Sequence, residues 1–382
     1  MKLKIGLVTV NRSDFGIQKK LIKELNINKK IDLHLIVTGS HFDKKYGYTV
    51  NEILEDKIKI NHKFKINLKN DDNFSISKYF SQYINFFGKI FFKNKLDNII
   101  ILGDRYEMLA AAVSSRIFNI SITHLHGGEV TLGAQDEYFR HAISKLANIH
   151  FVSLKAYKSR LIKMGEQPKN IIISGAPSLD NIKTETFLKK KELEKKFNIK
   201  FNRYNFILTF HPETLNPKKN LNDFNIILNT IKNINDCHFI ITSPAPDINS
   251  LKMIKLLEKK YKNIKYIKSL GRTGYFSLLK QSDGLIGNSS SGVIEAASFN
   301  KFVVNIGSRQ DGRIQSNNII NCKCNRFELN NAIIKLKKLK KNKKIVNIYF
   351  KKNSSKIILN NLIKFLLKNE SKNFKKFYDS KK

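Results

Sequence analysis

A chain of 382 residues with 41% hydrophobic and 10% aromatic residues can bury two cores, which excludes a disordered polypeptide. Lysine and arginine number 70 against 31 acidic residues, a formal charge of +39, but the excess accompanies a general abundance of Lys, Ile and Asn that colours every surface without making a nucleic-acid face. Three cysteines cannot form a disulfide framework, and Cys322-x-Cys324 supplies too few ligands for zinc.

The first apolar run, Leu3–Val10, holds about six apolar positions before Asn11-Arg12, too few for a secretory signal. No later run approaches the roughly 20 apolar residues that cross a bilayer. A cytoplasmic protein is expected, with no membrane partner. Leu3–Val10 reads as a strand and leads into Asn11-Arg12-Ser13-Asp14, where the Arg12 fork suits a phosphate or carboxylate and Asp14 suits a helix N-cap. Strands follow at Leu33–Thr38 and Asn98–Leu102. The latter runs into Gly103-Asp104-Arg105-Tyr106-Glu107, a carboxylate beside a guanidinium, which can serve as acid/base and anion clamp or as a structural ion pair, and then a helical pattern over Tyr106–Phe118.

Ser121–Leu125 leads to His124-Leu-His126-Gly-Gly-Glu129, then Asp136-Glu137 and Arg140-His141 at the start of a helix over Glu137–Ala147. The glycines let backbone approach a ligand, and Glu129 and Asp136 put two carboxylates on one strand–helix connection. His124 and His126 alternate along a strand and point to opposite faces, which argues against a shared metal. Arg140-His141 reads partly as helix surface. Ile149–Ser153 and a helix over Ala156–Lys163 end this series at the turn-rich Gly165–Pro168, so a first α/β domain is expected over 1–168.

The second series is Ile171–Ser174, Asn205–Phe210, His238–Thr242, Ile264–Ile267, Gly284–Gly287 and Phe302–Ile306, with helices at Leu221–Ile234, Ile248–Lys260 and Gly292–Phe299; it defines a second domain over 169–354. Gly287-Asn288-Ser289-Ser290-Ser291-Gly292 closes a strand and opens a helix, exposing amides at a positive helix end that suits phosphate. Glu295, a turn inside that helix, can accept from paired ribose hydroxyls. Arg309 and Arg313 lie beyond the next strand. Lys189–Lys196 and Lys337–Lys344 read as solvated surface. Ile357–Leu367 has helical spacing, and a C-terminal helix within 355–382 is expected to pack back on the first domain.

Continuous Ile/Val/Leu strands alternating with helices mean parallel sheets buried on both faces. The fold class is therefore α/β, with two doubly wound, Rossmann-like parallel-sheet domains around a cleft. GxGxxG, GxxxxGK[ST] and GxSxG are all absent, which removes support for a dinucleotide fold, a P-loop ATPase and a nucleophile elbow. A cleft for a nucleoside diphosphate and a carboxylate-rich sugar pocket remain.

These strings resemble a known family. Gly103-Asp-Arg-Tyr-Glu107, His126-Gly-Gly-Glu129, Asp136-Glu-x-x-Arg140-His141, Phe210-His-Pro-Glu-Thr214, Gly287-Asn-Ser-Ser-Ser-Gly292 and Arg309-Gln-x-Gly-Arg313, in this order, are similar to the sugar-nucleotide 2-epimerases with the two-domain glycosyltransferase-B fold. Within it the chain resembles the hydrolysing UDP-N-acetylglucosamine 2-epimerases of bacterial sialic acid synthesis, from Lys4 to about Arg313 and again at Phe374–Asp379. The resemblance implies that Ser289 and Ser290 bind diphosphate and Glu295 the ribose. It implies that Arg12, Arg105, Arg309 and Arg313 meet the phosphates and sugar, that Tyr275 lines a uracil pocket, and that His211 lies by the diphosphate. Asp104, Glu129 and Asp136 become the acid/base carboxylates, with Asp104 first among them. His126 stands where many relatives carry a catalytic Glu, and His41, Gly47 and Thr49 resemble a loop near the sugar. Relatives often carry an Asn around Pro244–Asp247, where this chain has none.

The implied reaction eliminates UDP to leave 2-acetamidoglucal and adds water to give N-acetylmannosamine, with no metal or other cofactor, in a homodimer or tetramer. The nearest alternative acts on UDP-N,N'-diacetylbacillosamine for legionaminic acid. A non-hydrolysing epimerase fits less well, because its His-x-Glu-Ala-Gly is replaced by His-Gly-Gly-Glu. A glycosyltransferase would need an acceptor, and an RNA-binding protein would need aromatic platforms that the lysine runs lack.

Overall fold

A computed structural model describes residues 2–180, 182, 185–259, 261–339, 344–368 and 375–379. Among these, strands β1 (Leu3–Thr9), β2 (Ile31–Val37), β3 (His62–Lys63), β4 (Asn98–Leu102), β5 (Ser121–Leu125), β6 (Ile149–Val152) and β7 (Ile171–Ile173) form one sheet in the order β3-β2-β1-β4-β5-β6-β7. Strands β8 (Tyr204–Thr209), β9 (Cys237–Thr242), β10 (Ile264–Ile267), β11 (Gly284–Gly287), β12 (Val303–Ile306) and β13 (Ile319–Cys322) form the other, ordered β10-β9-β8-β11-β12-β13. Every pairing is parallel, with registers such as Ile5 opposite Asn98 and Leu285 opposite Val303.

Burial on both faces explains why these segments are strands. In β4, Ile100 and Leu102 pack with Ile5, Leu7 and Leu35 on one face, while Ile99 and Ile101 pack with Val8, Ile36 and Ile122 on the other. In β8 the same alternation sends Phe206 and Leu208 toward Ile286 and Val304, and Ile207 toward Leu285 and Val303. The helix Ser354–Leu367 adds Ile358, Leu359, Leu362, Phe365 and Leu366 to the cluster around Ile5 and Leu7. Its first amides, Ser354 N and Ser355 N, donate to the Asp180 carboxylate at 2.8 and 2.5 Å.

Several elements differ from the sequence expectation. Ile171–Ile173 pairs with β6 and so ends the first sheet rather than opening the second; an Ile-Ile-Ile run reads the same beside either partner. The edge strands β3 and β13 carry too short or too mixed a pattern to stand out. A 22-residue helix, Asn73–Asn94, forms despite its aromatic content, because Tyr79, Tyr83, Phe87, Ile90 and Phe91 fall on one buried face. The helical pattern over Gly292–Phe299 is instead Ser290–Ile294 followed by a 3-10 turn, Ala296–Phe299, so Glu295 sits at the helix C-cap. Asn11, not Asp14, caps the helix Arg12–Ile27, its Oδ1 accepting from Asp14 N at 3.0 Å. Within the Lys337–Lys344 run, Lys337 pairs with Asp236 at 2.7 Å, and residues 340–343 lie outside the described residues, as does Phe374.

Each sheet reverses its order of assembly once, between β1 and β4 in the first and between β8 and β11 in the second. At such a switch point the loops leaving adjacent strands diverge and open a crevice at the carboxyl ends. The loops in question carry Asn11–Asp14, Gly103–Arg105, His211 and Asn288–Ser290.

Candidate active site

Two adjoining cavities, of about 130 and 150 Å³, lie between the domains at these crevices, and Ser13, Ile17, His211 and Ser290 line both. Arg12, Tyr275, Ser289 and Glu295 line the first. Asp104, Arg105, His126, Glu129, Asp136, Arg309 and Arg313 line the second. The residues expected to bind UDP or to move protons thus line one connected cleft, whereas His41, Gly47 and Thr49, expected near the sugar, line neither cavity. A larger hollow of about 940 Å³, between residues 64–70 and the helix Asn73–Asn94, is an open surface with lysines and no carboxylate, away from the switch points.

The first cavity is lined by hydroxyls and backbone. Ser289 caps the helix Ser290–Ile294 through Ser291 N at 3.4 Å, and Tyr275 donates its hydroxyl to Ser291 Oγ at 2.8 Å. Asn288 holds the His211 backbone from both sides, accepting from its amide at 2.7 Å and donating to its carbonyl at 2.8 Å. Ala245 N donates to His211 Nδ1 at 2.8 Å, so the ring proton resides on Nε2. Burial first, then the charges of Arg309, Arg12 and Arg105, push this imidazole well below its ordinary range and keep it neutral. Burial also lowers the Arg12 guanidinium. Arg309 donates from Nη1 to Asn288 O at 3.2 Å, and Glu213 fixes its loop by accepting from Ser308 N and Arg309 N, each at 3.0 Å.

The second cavity is lined by charges. Burial pushes the Asp104 carboxyl up, but Arg140, ion-paired to it, and then Arg313 outweigh this and hold it below the usual carboxylate range. Arg140 is itself buried, with Glu137 Oε2 at 2.6 Å, Thr131 Oγ1 at 2.7 Å and Glu129 O at 3.1 Å. Glu129 uses both oxygens: Oε1 accepts from His126 Nδ1 at 2.6 Å and Oε2 from Arg313 Nη2 at 2.7 Å. Burial would raise it, yet Arg313 and then His126 hold it down at about 2. Asp136 goes the other way, since burial and the charges of Asp104 and Asp247 push it up to about 7. Burial likewise takes Asp14 to about 7. One cavity therefore holds two firmly ionised carboxylates and two that titrate near neutrality, the separation acid/base chemistry requires.

The loop after β5 makes the Glu129 arrangement possible. Gly128 has φ +73, and a Cβ there would lie 2.6 Å from Tyr157 O. His126 also takes φ +63, a strained choice for a non-glycine residue. Its Nε2 is buried and has no partner among the described residues.

Some expected residues are already engaged. Arg105 donates to Glu107 at 3.1 Å and to Asp247 Oδ1 at 3.1 Å, bridging the domains, and Arg313 is taken by Glu129 and, at 2.9 Å, Gln310 Oε1. His41 and Thr49 do not line the cleft: the His41 ring is fully buried between Thr9 Oγ1 and Thr49 Oγ1, each at 2.9 Å, and Gly47 packs on Ser269. The sequence reading missed Asp14, taken for a cap, and Arg140, taken for helix surface. For Arg140 the signal was available, because it sits one helical turn after Asp136 and Glu137 and shares their face. Among the described residues no group of three His, Cys, Asp or Glu side chains is arranged to hold a metal ion, and no helix is long and apolar enough to cross a membrane.

Against known proteins, the family model described as UDP-N-acetylglucosamine 2-epimerase matches residues 23–363. The chain is 38% identical over 339 residues to the Campylobacter jejuni protein named GDP/UDP-N,N'-diacetylbacillosamine 2-epimerase (hydrolyzing), covering 88% of each. It is 34% identical over 389 residues to the Escherichia coli polysialic acid biosynthesis protein P7, covering 98% of this chain and 97% of that one. Among solved structures, the UDP-GlcNAc 2-epimerase from Neisseria meningitidis bound to UDP-GlcNAc superposes with a TM-score of 0.79 at 21% identity, over 95% of this chain and 100% of that one, and so has the same fold.

Proposed function

Because the chain belongs to the UDP-N-acetylglucosamine 2-epimerase family, we propose that it is a hydrolysing 2-epimerase converting UDP-N-acetylglucosamine to UDP and N-acetylmannosamine in the cytoplasm. The observation that carries this reading is the junction of the two cavities: a bond between diphosphate and sugar, held where His211 and Ser290 line both, has phosphate-binding groups on one side and carboxylates on the other.

The chemistry calls for both halves. The sugar's C2 proton is not next to a carbonyl, so a base alone cannot remove it. As UDP departs from C1, an oxocarbenium-like centre develops and acidifies that proton. In this reading Ser289, Ser290, Arg12, Arg309 and the His211 Nε2–H stabilise the leaving diphosphate, each such donor typically worth a factor of about 10²–10³. Glu295 holds the ribose and Tyr275 lies beside the uracil. Asp104 and Asp136 handle protons at C2, where a positioned acid or base contributes about 10²–10⁴. Elimination leaves 2-acetamidoglucal, and water then adds at C1. The division of labour puts sugar and carboxylates in the first half, 1–168, and UDP in the second, 169–354, with the C-terminal helix returning to the first; a homo-oligomer belongs to the same proposal.

The test is incubation with UDP-N-acetylglucosamine in deuterated water, followed by NMR of the released sugar. N-acetylmannosamine carrying deuterium at C2 is expected. Release of N-acetylglucosamine, or product without deuterium, overturns the mechanism. A second reading, the same reaction on UDP-N,N'-diacetylbacillosamine, is favoured by the name of the 38% identical relative; a parallel incubation with that sugar decides between them by relative kcat/KM.

A further inference from the structure

Inversion at C2 requires a proton to leave one face and return to the other, so two proton carriers are needed, and the Asp104–Asp136 pair is only one. The second carrier must hold an unoccupied basic atom on a side chain that lines the sugar cavity. Glu129 cannot, because Arg313 and His126 already occupy both its oxygens. His126 can. Its Nδ1 is bound 2.6 Å from a carboxylate, while Nε2 is buried without a partner among the described residues, on a side chain that lines the cavity.

We propose that Glu129 is a positioning residue which, anchored by Arg313, fixes His126 in the tautomer with a bare Nε2, and that His126 is the base of the elimination half-reaction. The inference rests on the 2-epimerase reading above and assigns one of its steps. Nε2 takes the C2 proton, the C2–H electron pair becomes the C1=C2 bond, and the C1–O pair leaves on UDP. The imidazolium, charge-balanced by Glu129, then releases its proton to solvent. In the hydration half Asp136 gives its proton to C2, water adds at C1, and the proton lost by that water restores Asp136.

Three observations support the assignment. Glu129 is ionised throughout the neutral range, held at about 2, so the proton shared with His126 belongs to Nδ1. His211, across the same cavity, is fixed in the opposite tautomer by Ala245 N, and presents a donor where His126 presents an acceptor. Elimination uses one of each, an acceptor at C2–H and a donor at the departing phosphate oxygen. Finally, left-handed backbone and an unpartnered ring nitrogen both work against stability at His126, and such costs concentrate where function holds them in place.

The test uses full-length protein labelled with ¹⁵N-histidine, with the His126 signals assigned by their loss in His126→Asn. Wild type should give a protonated Nδ1 and an unprotonated Nε2 for His126, and Glu129→Gln should mix the tautomers. The same variant should lower kcat on the UDP-sugar by about 10²-fold with UDP affinity within about twofold, while hydration of supplied 2-acetamidoglucal falls far less. Should Glu129→Gln not fold, His126→Asn, which leaves the Glu129–Arg313 pair intact, carries the kinetic arm. A protonated Nε2 in wild type, near-normal turnover in the variants, or equal loss of both half-reactions overturns the proposal. If wild type consumes no UDP-sugar, the 2-epimerase reading itself fails, and the tautomer measurement still reports on the Glu129–His126 pair.

Discussion

The two halves of the cleft differ in where their polar groups come from. The hydroxyl-lined half is organised around one continuous turn, Gly287–Ser291, which supplies Ser289, Ser290 and Ser291 and to which Tyr275 and His211 are tied through Ser291 and Asn288. The charged half gathers Asp104, Glu129 and Arg313 from the loops after β4, β5 and β12 and Arg140 from the helix Asp136–Leu146, and these groups neutralise one another, with Asp14 of the helix Arg12–Ile27 beside them. The first half is modular: each group can be removed with a local effect. The second is a network in which removing one charge strands another in a buried setting, so its members affect stability, ionisation and turnover together.

The largest expected effect tests that contrast directly. Arg140→Met takes a fully buried cation from half-buried Asp104 and Glu137, and should cost about 3 kcal/mol in urea denaturation, the low end of the loss when one partner of a buried pair is deleted, because both carboxylates keep some solvent. A cost below about 1 kcal/mol would mean that the charges are individually solvated and that the two halves do not differ as argued.

Next come the carboxylates at C2. Asp136→Asn and Asp104→Asn should each lower turnover at least about 10²-fold with little change in UDP affinity. Asp104→Asn should also move the pH profile, because the Asp104 charge helps to hold Asp136 at about 7; without it, the limb set by Asp136 shifts to lower pH. Stability follows the same linkage. Asp136 binds its proton more tightly folded than unfolded, so its contribution is present below about pH 4 and is lost as pH rises toward about 7. Asp136→Asn should flatten that decline in UDP-free protein; an unchanged slope would remove Asp136 as its source.

Arg309 lines the charged cavity but donates to the backbone of Asn288 in the serine turn, so Arg309→Ala should weaken UDP binding by about 1.5–3 kcal/mol, the range for a charge-assisted hydrogen bond, while leaving the denaturation midpoint nearly unchanged. Calorimetry paired with denaturation checks both. Equal losses in stability and affinity would put Arg309 in the network rather than beside it.

The same contrast explains what could be read in advance. Asn98–Leu102, Ser121–Leu125, Ile264–Ile267 and Gly284–Gly287 have the bounds expected of them, and for Asn98–Leu102 the reason is plain, since its Ile run is what burial on both faces demands. That reasoning cannot choose a sheet for Ile171–Ile173 or find an edge strand such as Ile319–Cys322, none of whose residues is fully buried. Within the site, position at a strand end was legible and partnership was not. Arg313 stands 184 residues from Glu129, and nothing local to either marks the pair. Asp104 likewise reads as an acid/base or as an ion-pair partner of its neighbour Arg105, and only the fold shows that the cation against it is Arg140. The turn Gly287–Ser291 was legible almost whole because its chemistry is its own backbone.

The smallest expected effect concerns one of the contacts between the two domains. Arg105 Nη1 meets Asp247 Oδ1 at 3.1 Å, with side chains 11% and 10% exposed, so the pair is partly desolvated and still near the cleft. The Asp247 charge also helps to raise Asp136. An anionic diphosphate entering the cleft competes with Asp247 for Arg105 and is repelled by it. Asp247→Asn removes the competitor and the repulsion while keeping size and hydrogen bonding. UDP should therefore bind more tightly by about 1 kcal/mol, near the upper end for a partly exposed ion pair. The Asp136 limb of the pH profile should move down with it, by less than in Asp104→Asn because Asp247 is the smaller influence. Weaker UDP binding in Asp247→Asn would reverse the argument. The bridge would then hold the domains in the arrangement that UDP requires, and the two halves would be coupled by Asp247 itself rather than through the ligand.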